Sequence, residues 1–167
     1  DQNVYTYNDR AQQFFAVEGI YANTVPIELN RGEIMHRDNQ RSEMIVYGYY
    51  PLMTSAQCVH KNTKGCDKCP TITYLKDRYQ AQFPVKNHCS ACYNVVYNSL
   101  PVMLFSNIHE LQKAGLGTFR LDFTMESEKM TGNVMDLLEE FLYEDRRQYP
   151  EQWKEHYTNG HYKRGVE

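Results

Sequence analysis

The 167-residue chain lacks long apolar runs, a strong net charge and the common protease motifs. No stretch approaches the roughly 18 consecutive apolar residues that a membrane-spanning helix needs, so we expect no membrane partner. The formal net charge of −3 gives no bulk attraction to nucleic acid. Neither the HExxH motif of zinc proteases nor the GxSxG motif of serine hydrolases occurs. These absences argue against a membrane protein and against the standard zinc and serine protease chemistries.

Cysteine is absent outside residues 58–92, and the five cysteines there are an odd number. An odd count confined to one region fits poorly with a disulfide framework, and the chain is long enough to bury a core without one. A reducing, cytoplasmic setting is therefore expected. The chain begins with DQNVYTYN, without an initiator methionine or a signal segment, so we expect a piece of a longer parent.

Short β-branched and aromatic runs alternate with helical patterns along the chain. For the first such helix, Asp9 is the expected N-cap and Gly19 the expected stop. Strands separated by helices at this spacing imply right-handed parallel crossovers. The sequence thus predicts an α/β fold with four βα units, half of a TIM-like barrel, with an open parallel sheet as the alternative. The four predicted strands are residues 3–8, 24–29, 43–50 and 118–124.

The expected domain organisation is a half-barrel domain over residues 1–147, interrupted by a cysteine-rich insertion at 51–99. Residues 148–167 are expected to form an extension that leads to a missing accessory domain. Within the insertion, TITYLKDRYQAQFPVKN predicts two strands joined by a turn, which is an antiparallel β-hairpin flap. A final helix is predicted from apolar residues at three-and-four spacing, namely Met130, Val134, Leu137, Leu138, Phe141 and Leu142.

The cysteines from 66 to 92 read CxxC, nineteen residues, CxxC. Two CxxC pairs separated by a hairpin are typical of a four-thiolate zinc site, formed here by Cys66, Cys69, Cys89 and Cys92. Thiolates also hold iron–sulfur clusters, and Cys58 is the distant ligand that such a cluster often includes. A third alternative is a cysteine nucleophile, for which His60 and His88 are the neighbouring bases.

Basic residues surround the cysteines. Residues 60–88 contain six Lys or Arg and two Asp, a local balance of +4 in a chain of net −3. Positive charge stabilises thiolates and anionic clusters. It also suits a phosphate backbone, and the tyrosines of YGYY and YNVVYNS suit base stacking, although a solvated loop and a packed core explain the same residues.

Several segments together resemble peptidase family U32, the collagenase-like proteases: EMIVYGYYPLMTSAQC, YLKDR, FPVKNHC, YNSLPVMLF, FRLDFTMES and TNGHYKRGVE. The resemblance runs over essentially the whole chain and implies the second half of that family's barrel domain. It also implies a missing N-terminal half of the barrel. Relatives in this family support hydroxylation of RNA bases or of the quinone ring, and some carry a four-iron four-sulfur cluster.

The resemblance implies a cluster held by Cys58, Cys66, Cys89 and Cys92, with Cys69 as the alternative ligand. The expected function is a peptidase-like enzyme that depends on a cysteine-bound iron–sulfur cluster or zinc ion. The expected partner is a protein or peptide substrate. The alternatives are an RNA-modifying or RNA-binding module, with RNA as partner, and a structural, zinc-clipped half barrel that is inactive alone.

Catalytic groups of eight-fold barrels lie at the C-terminal ends of strands. Glu28 and Arg120 are the candidates there, with Glu28 handling a proton and Arg120 binding an anionic substrate, and Tyr47 and Asp122 lie nearby. Structural ion pairs are the alternative role for these charges. A half barrel leaves two strand edges unpaired, so self-association of the chain is also expected.

Overall fold

The computed structural model describes residues 1–165 and separates into two compact units. The first, here called the α/β unit, comprises Asp1–Gly48 and the chain from Val102 onwards. The second, here called the cysteine unit, comprises Tyr49–Pro101 and contains all five cysteines. The predicted insertion at 51–99 and extension at 148–167 stay predictions, and the last two residues of that extension lie outside the described residues.

Helices and strands alternate at both ends of the chain, whereas four strands follow one another without a helix in its middle part. The α-helices are α1 (Asp9–Val17), α2 (Arg31–Met35), α3 (Val59–Lys64), α4 (Ile108–Lys113) and α5 (Glu128–Tyr143). The strands are β1 (Asn23–Thr24), β2 (Ser42–Gly48), β3 (Pro51–Ser55), β4 (Ile72–Lys76), β5 (Gln82–His88), β6 (Tyr93–Tyr97), β7 (Val102–Met103) and β8 (Thr118–Asp122). Short 3-10 turns occur at Phe105–Asn107 and Glu151–Trp153. No helix within residues 1–165 has the length and apolar character needed to cross a lipid bilayer.

The sheet of the α/β unit is built around β2. This strand runs parallel to β1 and β8 and antiparallel to β7. The parallel pairs between strands that are separated by helices confirm the α/β class. The β2 and β8 backbones approach so closely that a Cβ on Gly48 would lie 2.8 Å from the Asp122 carbonyl oxygen. No closed barrel is present among residues 1–165, and a half barrel is not confirmed.

The first predicted strand, residues 3–8, is absent. The Thr6 carbonyl accepts a hydrogen bond from Arg37 Nε at 2.9 Å, so a buried side chain satisfies this backbone where a neighbouring strand was expected. The segment is therefore held by an arginine that local sequence patterns do not connect to it.

The second predicted strand, residues 24–29, is also shorter than expected, because only Asn23–Thr24 pairs with β2. Pro26 has no N–H to donate to a sheet. The Leu29 N–H then turns back to the Pro26 carbonyl at 3.3 Å, which ends the extended backbone. The predicted strands 43–50 and 118–124 form as β2 and β8, each slightly shifted in its bounds.

Helices α1 and α5 begin where a side chain accepts one of the first backbone N–H groups. The Asn8 side chain accepts the Ala11 N–H at 3.0 Å, so Asn8 is the N-cap of α1, one residue before the predicted Asp9. Gly19, with a φ of 81°, lies just beyond the end of α1 as predicted. Ser127 caps α5 by accepting the Met130 N–H at 3.3 Å.

The core of the α/β unit lies between its sheet and the helices α2, α4 and α5. Phe141 of α5 contacts Phe105 and Tyr149, with ring centroids 6.2 and 5.1 Å apart. The Tyr149 hydroxyl donates to the Met103 carbonyl at 3.1 Å, which satisfies its buried polar end. Other fully buried side chains of this unit include Ile34, Val46, Ile108, Leu111, Leu116 and Val134.

Candidate metal centre

The cysteine unit is built on a four-stranded antiparallel sheet with the strand order β3-β6-β5-β4. The predicted hairpin is present as β4 and β5, and two further strands extend it into the sheet. Because neighbouring strands run in opposite directions, the end of β3, the start of β6, the end of β5 and the start of β4 lie at one edge. We call this edge the cysteine edge.

All five cysteines lie in segments at the cysteine edge. Cys58 follows the end of β3, Cys66 and Cys69 precede the start of β4, and Cys89 and Cys92 lie in the turn from β5 to β6. Three separate stretches of chain are therefore brought to the same end of one sheet. The sequence between the two CxxC pairs predicted a hairpin, and the sheet topology adds the Cys58 segment to the same edge.

The pairing of β4 with β5 brings the segments of the two CxxC pairs to the cysteine edge. Ile72 of β4 lies opposite Lys86 of β5, and the Asn87 N–H donates to the Thr71 carbonyl at 3.1 Å, in the same register. Beyond this pair the two segments leave the ladder, since the Cys69 N–H donates to Asp67 Oδ1 within its own turn at 2.9 Å.

The Cys58 segment is fixed to β6 by a side-chain amide. Asn94 is 1% exposed, and its Nδ2 donates to the carbonyl oxygens of Ser55 at 3.3 Å and Gln57 at 2.8 Å. Cys58 then occupies the N-cap position of α3, where the Lys61 N–H points at its Sγ at 3.4 Å.

The turn of the first CxxC pair is held by Asp67. Its Oδ1 accepts the Cys69 N–H at 2.9 Å and lies 3.5 Å from His60 Nδ1. These contacts hold the pKa of Asp67 below its usual range, the Cys69 N–H being the larger cause. Lys68 adopts a left-handed φ of 56° to complete the turn. The contact between Asp67 and His60 connects this turn to α3, and no local sequence signal predicted it.

The turn of the second CxxC pair is closed by neighbours on β5 and β6. The Ala91 N–H donates to the His88 carbonyl at 3.2 Å, and Cys92 has a left-handed φ of 54°. The His88 and Tyr93 rings stack at 4.5 Å with an interplanar angle of 8°. His88 is thus packed on an aromatic ring directly beside the turn.

All five thiols are free, with Cys58 and Cys89 half-buried and the other three exposed. Burial raises the pKa of Cys89, and the neighbouring thiols Cys58, Cys66 and Cys69 add to this effect, together with Asp67. Charges on exposed groups act on one another only over short distances. The effect of these groups on the pKa of Cys89 therefore agrees with their shared position at the cysteine edge. Nevertheless, residues 1–165 contain no group of three or more His, Cys, Asp or Glu side chains arranged to hold a metal ion.

The two catalytic candidates lie in the α/β unit. Arg120 forms ion pairs with Glu43 at 3.1 Å, Asp1 at 3.2 Å and Asp122 at 3.5 Å, so three carboxylates already balance its charge. Glu28 follows the shortened second strand. The pKa of Tyr7 is raised mainly by burial, and further by the charge of Glu28 and a hydrogen bond with it. The structure favours a structural role for Arg120, and the catalytic assignments stay predictions.

A buried polar cluster around Arg37 was not expected from the sequence. Arg37 is 6% exposed, and its guanidinium donates to Asn39 Oδ1 at 2.8 Å and Ser42 Oγ at 3.0 Å, and also to Asn23 Oδ1. Burial lowers the pKa of Arg37. The segment RGEIMHRDNQ reads as a polar surface helix, so no signal identified this arginine as a buried residue.

A cleft of about 590 Å³ opens in the α/β unit beside α1 and β1. Its carboxylates are used by the backbone, since Asp9 accepts the Asp38 N–H at 2.9 Å and Asp38 accepts the Gln40 N–H at 3.1 Å. No cysteine lines this cleft. We therefore place the candidate chemistry at the cysteine edge.

Comparison of the chain with protein-family models, with curated protein sequences and with solved structures found no match in any of the three.

Proposed function

We propose that the cysteine unit binds a metal ion or an iron–sulfur cluster through its thiolates. In this proposal the chain belongs to an enzyme resembling peptidase family U32, and the α/β unit is half of that family's barrel. The observation that carries the proposal is the sheet topology, because it brings three cysteine-bearing segments to one edge. Thiolates are soft ligands that suit zinc and iron–sulfur clusters, so the donor set fits either group.

Two ligand sets follow from the alternatives. A cluster would be held by Cys58, Cys66, Cys89 and Cys92, and a zinc ion by Cys66, Cys69, Cys89 and Cys92. Zinc would supply folding free energy to a unit of this size, and a cluster would supply electron transfer. In small thiolate sites, metal binding frequently completes the fold. Cysteines that lie at one edge without yet forming a coordination geometry therefore fit a metal-binding role.

The residues of the chain around the thiols have roles of their own. Asp67 fixes the first turn through the Cys69 N–H. The Lys61 N–H is directed at Cys58 Sγ. The lysines at 61, 64 and 68 are exposed and lie within a few residues of Cys58, Cys66 and Cys69, where their charge offsets that of the thiolates.

Elemental analysis after anaerobic purification tests the proposal. We expect either about one zinc or about four iron and four sulfide per chain, and neither in a variant with all five cysteines replaced by serine. A wild-type chain that binds no metal after anaerobic reconstitution with zinc and with iron and sulfide would contradict the proposal.

Two single substitutions separate the ligand sets. Cys69→Ser leaves metal content unchanged if the cluster set is correct and abolishes it if the zinc set is correct. Cys58→Ser gives the opposite pair of results. Both variants are measured in the same assay. Far-ultraviolet circular dichroism of each variant shows whether a loss of metal comes from a loss of folding.

Peptidase activity is tested separately. In a cysteine-dependent peptidase, cleavage of casein or collagen disappears when the five cysteines are replaced. Retained cleavage in that variant would contradict the dependence, and absence of cleavage in a metal-loaded wild-type chain would favour the structural, zinc-clipped alternative.

RNA binding is a second candidate function, favoured by exposed basic and aromatic side chains of the cysteine unit. Tyr74 and Tyr79 are 57% and 74% exposed, and Arg78 lies over the Tyr79 ring at 4.7 Å. Exposed aromatic rings beside cations are typical of surfaces that stack single-stranded bases.

A salt titration of single-stranded RNA binding tests this second function. Reversing the charges of Lys61, Lys64 and Lys68 is expected to abolish the shift and to flatten its salt dependence. The control is Lys129→Glu, an exposed charge reversal on α5 of the α/β unit, which is expected to leave RNA binding unchanged. Equal effects of the two changes would contradict a specific RNA surface.

A further inference from the structure

Strand β4 is an outer strand of the sheet in the cysteine unit, because the strand order is β3-β6-β5-β4. Its register with β5 is continuous over Ile72–Lys76. Hydrogen bonds in the same register lie at both ends of this ladder. The Asn87 N–H donates to the Thr71 carbonyl at 3.1 Å, and the Asp77 N–H donates to the Ala81 carbonyl at 3.2 Å. We call the side of β4 that faces away from β5 the β4 edge.

These bonds fix the direction of the backbone groups in β4. In an antiparallel pair, residues that bond the partner strand alternate with residues whose N–H and C=O groups point away from it. Thr71 and Asp77 bond the β5 side, so the odd-numbered residues between them do the same. The even-numbered residues Ile72, Tyr74 and Lys76 therefore direct three N–H and three C=O groups to the β4 edge.

The other outer strand of the sheet, β3, is less suited to pair with a further strand. Pro51 at its start has no N–H, and its register with β6 shifts between Pro51 and Met53. Proline and register shifts are the devices that protect sheet edges from pairing. Strand β4 carries neither, since its sequence is ITYLK and its register is continuous. The β4 edge is thus the one that can accept another strand.

We propose that the β4 edge binds an extended, acidic peptide segment of a partner protein by strand addition. The side chains along this strand are apolar and exposed, with Ile72 at 40%, Tyr74 at 57% and Leu75 at 39% exposure. The backbone of the peptide would bond the outward N–H and C=O groups of β4. Apolar side chains at alternate positions of the peptide would pack on Ile72 and Tyr74, which share one face of the sheet.

Charge favours an acidic segment over pairing with the β4 strand of a second copy. Lys76 and Arg78 are exposed at the end of the strand. Asp77 lies between them, but its Oδ1 accepts the Tyr79 and Ala81 N–H groups at 2.8 and 2.9 Å. The six Lys or Arg and two Asp of the cysteine unit give it a balance of +4. Two copies of this edge would repel each other, whereas a carboxylate opposite Lys76 would be attracted.

The experiment measures binding of a fluorescein-labelled peptide, Glu-Thr-Val-Thr-Val-Thr-Glu, to the full chain by fluorescence anisotropy. In either chain direction its valines can lie beside Ile72 and Tyr74 while a glutamate lies beside Lys76. The matched probe has lysine in place of both glutamates, and single-stranded oligouridylate is the RNA probe. We expect the acidic peptide to bind at least about tenfold more tightly than the basic one.

Two substitutions test the backbone and the charge of the β4 edge. Ile72→Pro removes one outward N–H and leaves the bonds to β5, so we expect about tenfold weaker binding of the acidic peptide. Ile72→Val keeps the N–H and an apolar side chain, and is expected to bind more tightly than Ile72→Pro. Lys76→Glu is expected to weaken binding, whereas the control Lys129→Glu, a charge reversal on α5, leaves binding unchanged.

Amide hydrogen exchange followed by nuclear magnetic resonance distinguishes strand addition from contacts made by side chains alone. With the acidic peptide bound, the amides of Ile72, Tyr74 and Lys76 are expected to exchange more slowly. The amides of Thr73 and Leu75 already face β5 and are expected to change little. The same measurement on the free Ile72→Pro chain shows whether its ladder with β5 is intact.

Several results would overturn this inference. Equal affinity for the acidic and basic peptides, or protection that does not alternate along β4, would do so. Tighter binding of oligouridylate that Ile72→Pro does not change would assign the surface to RNA. Alternating protection in the free chain, with the mass of a dimer in light scattering, would assign the β4 edge to a second copy.

The inference goes beyond the proposed function, because strand pairing and not thiolate ligation forms the β4 edge. A chain that binds the acidic peptide but no metal would support this inference and contradict the proposed function. A metal-loaded chain that does not bind the peptide would overturn this inference and leave the proposed metal site standing.

Discussion

The two units of the chain differ in what stabilises them. The α/β unit buries aromatic and aliphatic side chains completely, with Phe105, Phe141 and Leu111 at 0–1% exposure. In the cysteine unit Val85 is fully buried, but the neighbouring Val95, Val96 and Tyr97 keep 8–9%. Its edge strands also carry exposed apolar residues, such as Leu52 at 56%. The cysteine unit therefore has less apolar burial to offset the entropy of its ordered turns.

Charge divides the chain along the same boundary. Residues 49–101 carry six Lys or Arg and two Asp, a balance of +4, whereas the rest carries 12 basic and 19 acidic residues, a balance of −7. Self-repulsion among basic side chains opposes compaction unless anions compensate it. In the proposed metal site, cysteine thiolates would be such anions. The α/β unit thus combines a fully buried core with a net negative charge, whereas the cysteine unit combines a less completely buried core with a net positive charge.

The largest expected effect is on the core of the α/β unit. Phe141→Ala removes a buried ring between Phe105 and Tyr149 and is expected to cost about 3–5 kcal/mol of unfolding free energy. Urea unfolding followed by the fluorescence of Trp153, the only tryptophan, reports on this unit. The control is Phe14→Ala, since Phe14 is 63% exposed and its loss is expected to change the free energy little. Equal effects would contradict the assignment of the core.

Alkaline pH is expected to weaken the same unit. Burial raises the pKa of Tyr149 to about 12, above the roughly 10 of an unfolded tyrosine. The folded state therefore favours the neutral phenol, and this stability is present below pH 10 and is lost as pH rises from 10 to 12. The loss is about 2–3 kcal/mol.

The matched variant for this pH effect is Tyr149→Phe. It removes the hydroxyl that bonds the Met103 carbonyl and the Ser106 N–H, so it is less stable at neutral pH. Its unfolding free energy is then expected to fall less steeply between pH 10 and 12. Tyr162, whose pKa is also raised by burial and by Glu110, contributes with the same sign in both proteins. Parallel pH profiles for the two proteins would contradict a role of Tyr149.

Local patterns predicted the elements whose stability is local. The spacing of apolar residues predicted α5, in which Val134, Leu137 and Phe141 are buried. The segment TITYLKDRYQAQFPVKN predicted two strands joined by a turn, which form as β4 and β5. Both predictions depend on contacts within about twenty residues, where hydrophobic periodicity and turn spacing carry the information.

Elements that depend on distant partners could not be predicted. The backbone at Thr6 is held by Arg37, thirty-one residues away, and this removed the first predicted strand. β7 pairs antiparallel to β2 although it lies more than fifty residues further along the chain. At the candidate site, the spacing indicated thiolate chemistry, but the position of the Cys58 segment at the same end of the sheet required the strand order and register. The order of strands in a sheet and their pairing register cannot be derived from a single sequence alone.

A core substitution in the cysteine unit tests whether the two units unfold independently. Val85→Ala removes two methyl groups from a fully buried position of β5 and is expected to cost about 1–2 kcal/mol. Faster hydrogen exchange of the β5 and β6 amides is the expected result, with the Trp153 transition unchanged. The control is Leu52→Ala in β3, an exposed position of the same unit. A Trp153 transition that shifts with Val85→Ala would show that the two units unfold together.

The smallest expected effect concerns a surface charge of the α/β unit. Glu110 accepts hydrogen bonds from Arg31 and from the Tyr162 hydroxyl, and the bond to Arg31 is the main cause that holds the pKa of Glu110 below its usual range. This stability is present above the unfolded pKa, roughly 4.3, and is lost as pH falls through the lower folded value. Because the Glu110 side chain is 31% exposed, Glu110→Gln is expected to cost less than about 1 kcal/mol at pH 7.

Salt and acid both reduce the expected difference between Glu110→Gln and the wild-type chain, because salt screens exposed charges and acid neutralises the carboxylate. Urea unfolding through Trp153 at pH 7 and pH 3, in low and high salt, measures it. A difference that persists at pH 3 would assign the effect to the hydrogen bond with Tyr162, which glutamine orients differently, and not to charge. The charge of Glu110 would then contribute less to the stability of the α/β unit than its ion pair with Arg31 implies. The two units would then differ more in how far their stability depends on charge.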